Sequence, residues 1–200
     1  MRDPRQTRTN RISTTIYPAA LRGDRLGSVE IRILEDDITR RRVDAIVNAA
    51  NSSLLGGGGV DGAIHRAAGP ELLAACRELR TGPYPQGLAT GSAVHTEAFN
   101  LPARWIIHTV GPNRHAGETD PALLASCFRG SLEVADRLGA LSVAFPAISA
   151  GIYGWQPDTV ARVGLTEVLA YDGGVQVVEF VLFSAGLAEV FRSVHAELAA

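Results

Sequence analysis

The sequence predicts an α/β layered fold with a largely parallel central sheet. Segments with the pattern of β-strands alternate with segments of helical pattern along most of the chain, an order that is typical of β–α–β units. Residues 43–49 are almost continuously apolar, as expected of a strand that is buried on both faces of a parallel sheet. There is no internal repeat and no interdomain linker, so the elements are predicted to form one domain.

Six segments have the pattern of strands. Residues 29–34 alternate between apolar and polar side chains, and residues 43–49 form the apolar run. The other four are short apolar or β-branched stretches that end near Gly, Pro or polar residues. These four predicted strands are residues 91–96, 104–110, 142–146 and 175–183.

Five segments have the pattern of helices. Pro70 and Pro121 stand at positions where the first turn of a helix tolerates proline, and Asp120 can cap the helix that Pro121 begins. Gly139 ends that helix. The predicted helices are residues 60–68, 70–80, 121–138, 157–170 and 187–198.

Composition limits the classes of function. The net charge of −2 gives no basic footprint for nucleic-acid binding over the surface as a whole. All 19 basic residues are Arg, which excludes Schiff-base lysines and P-loop lysines and indicates a GC-rich, bacterial coding sequence. Cys76 and Cys127 are isolated in the sequence, so neither a disulfide framework nor a zinc cluster is indicated. We expect no metal and no cofactor.

Residues 1–25 differ from the rest of the chain. They contain six Arg, with Pro18 and Gly23 as breakers, and lack the apolar stretch of a secretory signal. This composition predicts a flexible N-terminal tail, and residues 26–200 are then the folded domain. No apolar run approaches the roughly 20 residues of a membrane span. We therefore expect a cytoplasmic protein that is a monomer and has no membrane partner.

The segment around four consecutive glycines is the most informative. The apolar strand leads to Asn48 and Asn51, residues 56–59 are all Gly, and the next helix carries Asp61 and His65 on one face. Glycine lets a backbone approach a ligand closely, and the free N–H groups at the start of a helix attract anions. The missing Lys and the glycine spacing exclude a Walker A loop and a Rossmann fingerprint. The alternative is an ordinary flexible loop before a helix.

A second loop of small residues follows the predicted strand 142–146. Ser149, Ala150 and Gly151 allow backbone N–H groups to converge into an anion-binding nest. The alternative is a tight connection between a strand and a helix. Two such loops at strand ends favour a ligand site, because ligands of parallel sheets bind beyond the carboxyl ends of the strands.

Residues 43–69 closely resemble the signature of macrodomains, in particular of the MacroD-type branch, with its Asn-Ala-Ala-Asn, Gly-Gly-Gly-Val-Asp-Gly and Ile-His groups. The resemblance extends over about residues 29–191. It implies a three-layer α/β/α sandwich with a mixed, largely parallel sheet, and a pocket for ADP-ribose. The two glycine-containing loops would hold the diphosphate without any Lys or metal.

The resemblance also assigns roles to residues. Asn51 and Asp61 match the family's residues at the distal ribose, and His65 is a supporting group, so these three are the candidate catalytic residues. Asn48 is expected to stabilise the loop. The predicted ADP-ribose contacts of the two loops are Asn48, Gly57, Gly58, Gly59, Val60, Ser149, Ala150, Gly151, Ile152 and Tyr153, with Tyr153 over the distal ribose.

Asp37 and Ile38 resemble the part of the family pattern that contacts adenine, although Asp36 stands where the family usually has Gly. Phe183 matches the aromatic residue that stacks on adenine, and a core aromatic is the equal alternative. The segment 108–112 matches a further macrodomain signature and is interpreted as structural.

The function that this resemblance implies is hydrolysis of mono-ADP-ribose from Asp or Glu side chains of modified proteins. O-acetyl-ADP-ribose and ADP-ribosylated, phosphorylated nucleic-acid ends are further possible substrates. The expected partners are ADP-ribose and mono-ADP-ribosylated proteins. Either Asp61 or the substrate diphosphate would activate the water. The alternative is a reader module that binds ADP-ribose without turnover.

Overall fold

A six-stranded sheet is at the centre of the computed structural model, which describes residues 29–200. The predicted tail and the first three residues of the predicted domain lie outside the described residues. The strands are β1 Glu30–Glu35, β2 Ala45–Ala50, β3 Ala93–Glu97, β4 Trp105–Val110, β5 Ser142–Phe145 and β6 Val177–Leu182. The helices are α1 Gly59–Ala68, α2 Pro70–Thr81, α3 Pro121–Leu138, α4 Pro157–Leu169 and α5 Ala185–Leu198. All eleven predicted elements are present, with ends that differ by at most two residues.

The strands lie in the order β1-β6-β5-β2-β4-β3. All neighbouring pairs are parallel except β3 and β4, which are antiparallel. The sheet is therefore mixed and largely parallel, as predicted. Because five strands share one direction, their carboxyl ends meet at one edge of the sheet, where a ligand site is expected.

Helices cover both faces of the sheet and make three layers. On one face α3, α4 and α5 pack over an aromatic core, in which neighbouring ring centroids are 5.2–6.2 Å apart. On the other face α1 and α2 pack on the apolar side chains of β2 and β4. The side chains of β2 alternate between these faces, so Ile46 and Asn48 both point toward α1 and α2. The predicted α/β/α sandwich is confirmed.

The small differences from the predicted boundaries include those of β3, α5 and β6. The strand β3 begins at Ala93, because Gly91 has a φ of 83° and breaks the extended backbone. The helix α5 begins two residues early, because the hydroxyl of Ser184 accepts a hydrogen bond from the Leu187 N–H and caps it. The strand β6 ends before Phe183.

Two short 3-10 helices, Ile38–Arg40 and Arg114–Ala116, were absent from the prediction. The first begins after Asp37, whose side chain accepts a hydrogen bond from the Thr39 N–H. The second begins after Asn113, whose side chain accepts one from the His115 N–H. One turn is too short to produce a helical period in the sequence. Within residues 29–200, no helix combines the length and the apolar character that a membrane crossing requires.

Candidate functional site

A cavity of about 710 Å³ opens at the edge of the sheet where the parallel strands end. This volume is typical of small-molecule sites. Residues that follow β1, β2, β4, β5 and β6 all contribute to the wall. The predicted site residues that line it are Asp37, Ile38, Asn51, Gly57, Gly58, Gly59, Val60, Asp61, Ser149, Ala150, Gly151, Ile152, Tyr153 and Phe183.

Eight further residues line the cavity. They are Asp36, Ala49, Ala50, Ala63, Gly111, Pro146, Ala147 and Val181. Most of them have small side chains and lie at or just beyond the end of a strand. That position is the feature of the sequence from which their place in the cavity wall could have been predicted. Nothing in the local pattern distinguishes Val181 from the other apolar residues of β6.

The glycine loop is shaped by close contact with α1. Gly56 and Gly59 have φ values of 84° and 59°, in the left-handed region that favours glycine. Gly58 and Gly59 have open space where a side chain would be, and no side chain caps the first turn of α1 among the described residues. The backbone N–H groups at this helix start are therefore accessible to an anion.

Asn51 holds the glycine loop and also lies beside Asp61. Its Oδ1 accepts hydrogen bonds from the N–H and the hydroxyl of Ser53, and its Nδ2 donates to the Gly56 carbonyl at 2.9 Å. A Cβ added to Gly57 would lie 3.1 Å from Nδ2 of Asn51 and 3.0 Å from Oδ2 of Asp61. Both polar side chains therefore border the same point of the cavity wall.

Asp61 is a buried carboxylate. One of its oxygens accepts a hydrogen bond, and the other has no hydrogen-bond partner among residues 29–200. Its Oδ1 accepts a hydrogen bond of 2.7 Å from Nδ2 of Asn48, whereas Oδ2 has no hydrogen-bond partner within residues 29–200. Burial raises the pKa of Asp61 above its ordinary value, against the opposing effects of the Asn48 hydrogen bond and of His65. Such a carboxylate is a stronger base than an exposed one.

Two predicted site residues lie behind the cavity wall. Asn48, predicted as a ligand contact, is completely buried, and its amide contacts Asp61 instead. The side chain of Asn48 points from β2 into the protein interior, so it does not reach the cavity surface. Nε2 of His65 lies 3.5 Å from Oδ1 of Asp61 and forms no hydrogen bond within the described part of the chain. His65 is therefore a neighbour of Asp61 and not part of the lining.

The second loop presents a strained serine to the cavity. Ser149 has a φ of 65°, and its buried hydroxyl has no hydrogen-bond partner among residues 29–200. A Cβ on Gly111 would overlap this hydroxyl, so only glycine fits at that strand end. Trp155 is buried and donates from Nε1 to the Pro112 carbonyl at 2.9 Å, which anchors the loop. Burial, and secondarily Asp61, raises the pKa of Tyr153 in the same loop.

Asp36 and Asp37 form the wall beyond β1. Oδ1 of Asp37 accepts hydrogen bonds from the N–H and the hydroxyl of Thr39 at 2.9 and 2.7 Å. Oδ1 of Asp36 accepts from the N–H of Asp37, and Oδ2 accepts from Nη1 of Arg41 at 2.7 Å. Arg41 also holds the buried Glu179. The carboxylate at position 36 therefore ties this loop to an internal ion-pair network.

Phe183 lies at the cavity rim with 84% of its surface exposed. A core position, which the sequence left as an equal alternative, is therefore wrong. Among residues 29–200, no group of three or more His, Cys, Asp or Glu side chains is arranged to hold a metal ion.

The chain is similar over most of its length to macro domain proteins. The Macro domain family model matches residues 47–164. A macro domain-containing protein of Streptomyces griseus is 58% identical over 167 residues, or 83% of this chain and 94% of that protein. An O-acetyl-ADP-ribose deacetylase of Cronobacter turicensis is 53% identical over 146 residues, or 72% of this chain and 81% of that enzyme. The Trypanosoma brucei macrodomain in complex with ADP-ribose matches with a TM-score of 0.74 at 36% identity, covering 82% of this chain and 68% of that one.

Proposed function

The chain belongs to the macro domain family, and we propose that it binds ADP-ribose in the cavity beyond the strand ends. The Trypanosoma brucei relative that is in complex with ADP-ribose has the same fold. The volume of about 710 Å³ and the two loops of small residues support this ligand. The family resemblance expected from residues 43–69 is confirmed by the family match.

The lining suggests an orientation for the ligand. The uncapped start of α1 and the unpaired hydroxyl of Ser149 favour the diphosphate, because both offer hydrogen-bond donors to an anion. Asp37 and the exposed ring of Phe183 suit adenine, through its amino group and its face. The distal ribose then lies against Asn51 and Asp61.

We further propose that the protein is a MacroD-type hydrolase that releases mono-ADP-ribose from Asp and Glu side chains. In this reaction, water cleaves the ester between the distal ribose and the side-chain carboxyl group, giving ADP-ribose and a free carboxylic acid. The observation that carries the proposal is the buried Asp61, whose Oδ2 is unpaired within residues 29–200 and borders the cavity wall next to Asn51. Asp61 accepts the proton of the water, and its raised pKa favours this role.

Release of acetate from O-acetyl-ADP-ribose is a second candidate reaction. It is favoured by the relative from Cronobacter turicensis that carries the name of this activity. Both reactions are ester hydrolyses on the ribose of the same nucleotide, so one cavity suits both.

The test is release of ADP-ribose from a protein modified on Glu, compared with the same protein modified on Arg, which has no ester. We expect release from Glu only, and a loss on the order of 100-fold or more in Asp61→Ala and Asn51→Ala. Asp172→Ala is the control, since Asp172 is an exposed carboxylate just before β6, at the opposite edge of the sheet.

Binding is measured separately, from the rise in melting temperature with ADP-ribose. A clear rise in melting temperature, together with no release of ADP-ribose from either substrate, would contradict the proposed hydrolysis and support a reader module. No rise would contradict both.

A further inference from the structure

Behind Asp61 lies a chain of buried hydrogen bonds that crosses three strands. Nδ2 of Asn48 on β2 lies 2.7 Å from Oδ1 of Asp61 and 3.1 Å from Nδ1 of His108 on β4. On its other side, Nε2 of His108 lies 3.0 Å from the hydroxyl of Thr96 on β3. Asn48 and His108 are completely buried and face each other in the β2–β4 pairing.

The donors and acceptors of this chain can be assigned from chemistry. An amide nitrogen carries two hydrogens and accepts none, so Nδ2 of Asn48 donates to both Asp61 and His108. Nδ1 of His108 must therefore be the unprotonated nitrogen, and Nε2 carries the proton that is donated to Thr96. Burial lowers the pKa of His108 to about 3, so the ring is neutral at physiological pH and one of its nitrogens can accept a hydrogen bond.

The Asp61 carboxylate, which accepts hydrogen bonds when ionised, and this tautomer both favour the observed orientation of the Asn48 amide. If the amide were flipped, Oδ1 of Asn48 would face the carboxylate of Asp61 and the lone pair on Nδ1 of His108. In the observed orientation Oδ1 of Asn48 has no hydrogen-bond partner among residues 29–200. The amide therefore leaves its own oxygen unpaired in a buried place, and the two donated hydrogen bonds compensate for that cost.

We infer that His108 is a positioning residue, which acts through Asn48 to keep Asp61 ionised with Oδ2 at the cavity wall. Without an acceptor at Nδ1, only the ionised carboxylate of Asp61 opposes the flipped amide, and protonation of Asp61 removes that opposition. Asp61 then loses the hydrogen bond that counteracts its burial. The consequence for catalysis rests on the proposed hydrolysis, whereas the effect on Asp61 itself does not.

Other titratable groups surround the network, and all of them remain in the variants used below. Burial raises the pKa of Cys76 to about 11 and also raises that of Tyr153, so both are neutral at and below neutral pH. The imidazoles of His65 on α1 and His95 on β3 are also near the network. The neighbouring titratable groups are His65, Cys76, His95 and Tyr153.

The test compares two replacements of His108. His108→Phe keeps a ring and removes the acceptor, whereas His108→Asn places an amide oxygen near the position of Nδ1. Asp61 is titrated by carbon-13 NMR of its carboxyl carbon, and kcat/KM is measured against pH. In His108→Phe we expect a higher pKa of Asp61, with the rate at about pH 5 relative to that at about pH 7.5 reduced on the order of tenfold. His108→Asn should restore both.

A double-mutant cycle separates positioning from general packing. Asn48→Leu should raise the pKa of Asp61 at least as much as His108→Phe, and the double variant should add nothing further, because His108 acts only through Asn48. Additive effects, or an unchanged Asp61 titration in folded His108→Phe, would overturn the inference. If His108→Phe does not fold, His108→Leu, which also removes the acceptor at Nδ1, takes its place in the comparison. A wild-type protein without turnover would contradict the proposed function alone, because the NMR titration needs no turnover.

Discussion

The carbonyl oxygen of Gly57 lies 2.5 Å from the point that a Cβ on Gly62 would occupy. The glycine loop is thus in direct contact with the end of the first turn of α1, at a distance that only glycine permits. This contact places Gly57 where a Cβ added to it would lie 3.0 Å from Oδ2 of Asp61 and 3.1 Å from Nδ2 of Asn51.

The first prediction concerns this contact. Gly62→Ala should displace the loop, lower the free energy of unfolding by about 1–3 kcal/mol and weaken ADP-ribose binding. Gly186→Ala is the matched control, since Gly186 also lies in a helix and has open space around it; its stability should be unchanged or higher by up to about 1 kcal/mol. Denaturant unfolding and calorimetric titration measure both. A Gly62→Ala protein with wild-type stability and affinity would show that the loop is not held by this contact.

The second prediction concerns the unpaired hydroxyl of Ser149. Ser149→Ala should leave the stability of the free protein unchanged or slightly higher, because a buried hydroxyl without a partner is unfavourable. Its affinity for ADP-ribose should fall by about 12–150-fold, the value of one hydrogen bond to a charged group. Ser131→Ala is the control, since that buried hydroxyl already donates to the Cys127 carbonyl. Equal affinity of Ser149→Ala and wild type would remove this hydroxyl from the ligand contacts.

The third prediction concerns the rim of the cavity. Phe183→Ala should lower the affinity for ADP-ribose by about 2–12-fold, through loss of stacking on adenine. Stability should not change, because 84% of this side chain is already exposed. Leu169→Ala, a change of an apolar residue outside the cavity lining, should leave the affinity unchanged. Weak binding of ribose 5-phosphate, which lacks adenine, should be the same in Phe183→Ala and wild type; a parallel loss would argue against stacking.

The fourth prediction concerns Asp61 and pH. The folded protein raises the pKa of Asp61 above the ordinary 3.8, so the folded state holds this proton more tightly than the unfolded state. Stability therefore decreases as the pH rises from the unfolded pKa through the folded pKa. Asp61→Asn should melt a few degrees higher than wild type at neutral pH, about 2–4 °C per kcal/mol. The difference should vanish below about pH 4, while hydrolysis is lost at every pH. A lower melting temperature at neutral pH would contradict the assigned direction.

Much of the site could be predicted because its signals are local. The glycine run and the loop at Ser149 are short segments whose residue types have direct structural consequences, whereas the roles of Asn51 and Asp61 follow from the resemblance to macrodomains. The position of Phe183 could not be resolved in this way, because an aromatic residue at a strand end suits a core and a rim equally. The fold places the last pairing of β6 at Leu182, and Phe183 then lies outside the sheet.

The local pattern of residues thus accounts for the strands, the helices and the two loops of this macrodomain, since hydrophobic period and glycine placement act over a few residues. The tertiary structure alone decides that Asn48 meets Asp61, 13 residues away, and His108, 60 residues away. Those contacts depend on the strand order and on the register of β2 against β4. Strand order and register arise from packing across the whole sheet, so no single segment of the sequence predicts them.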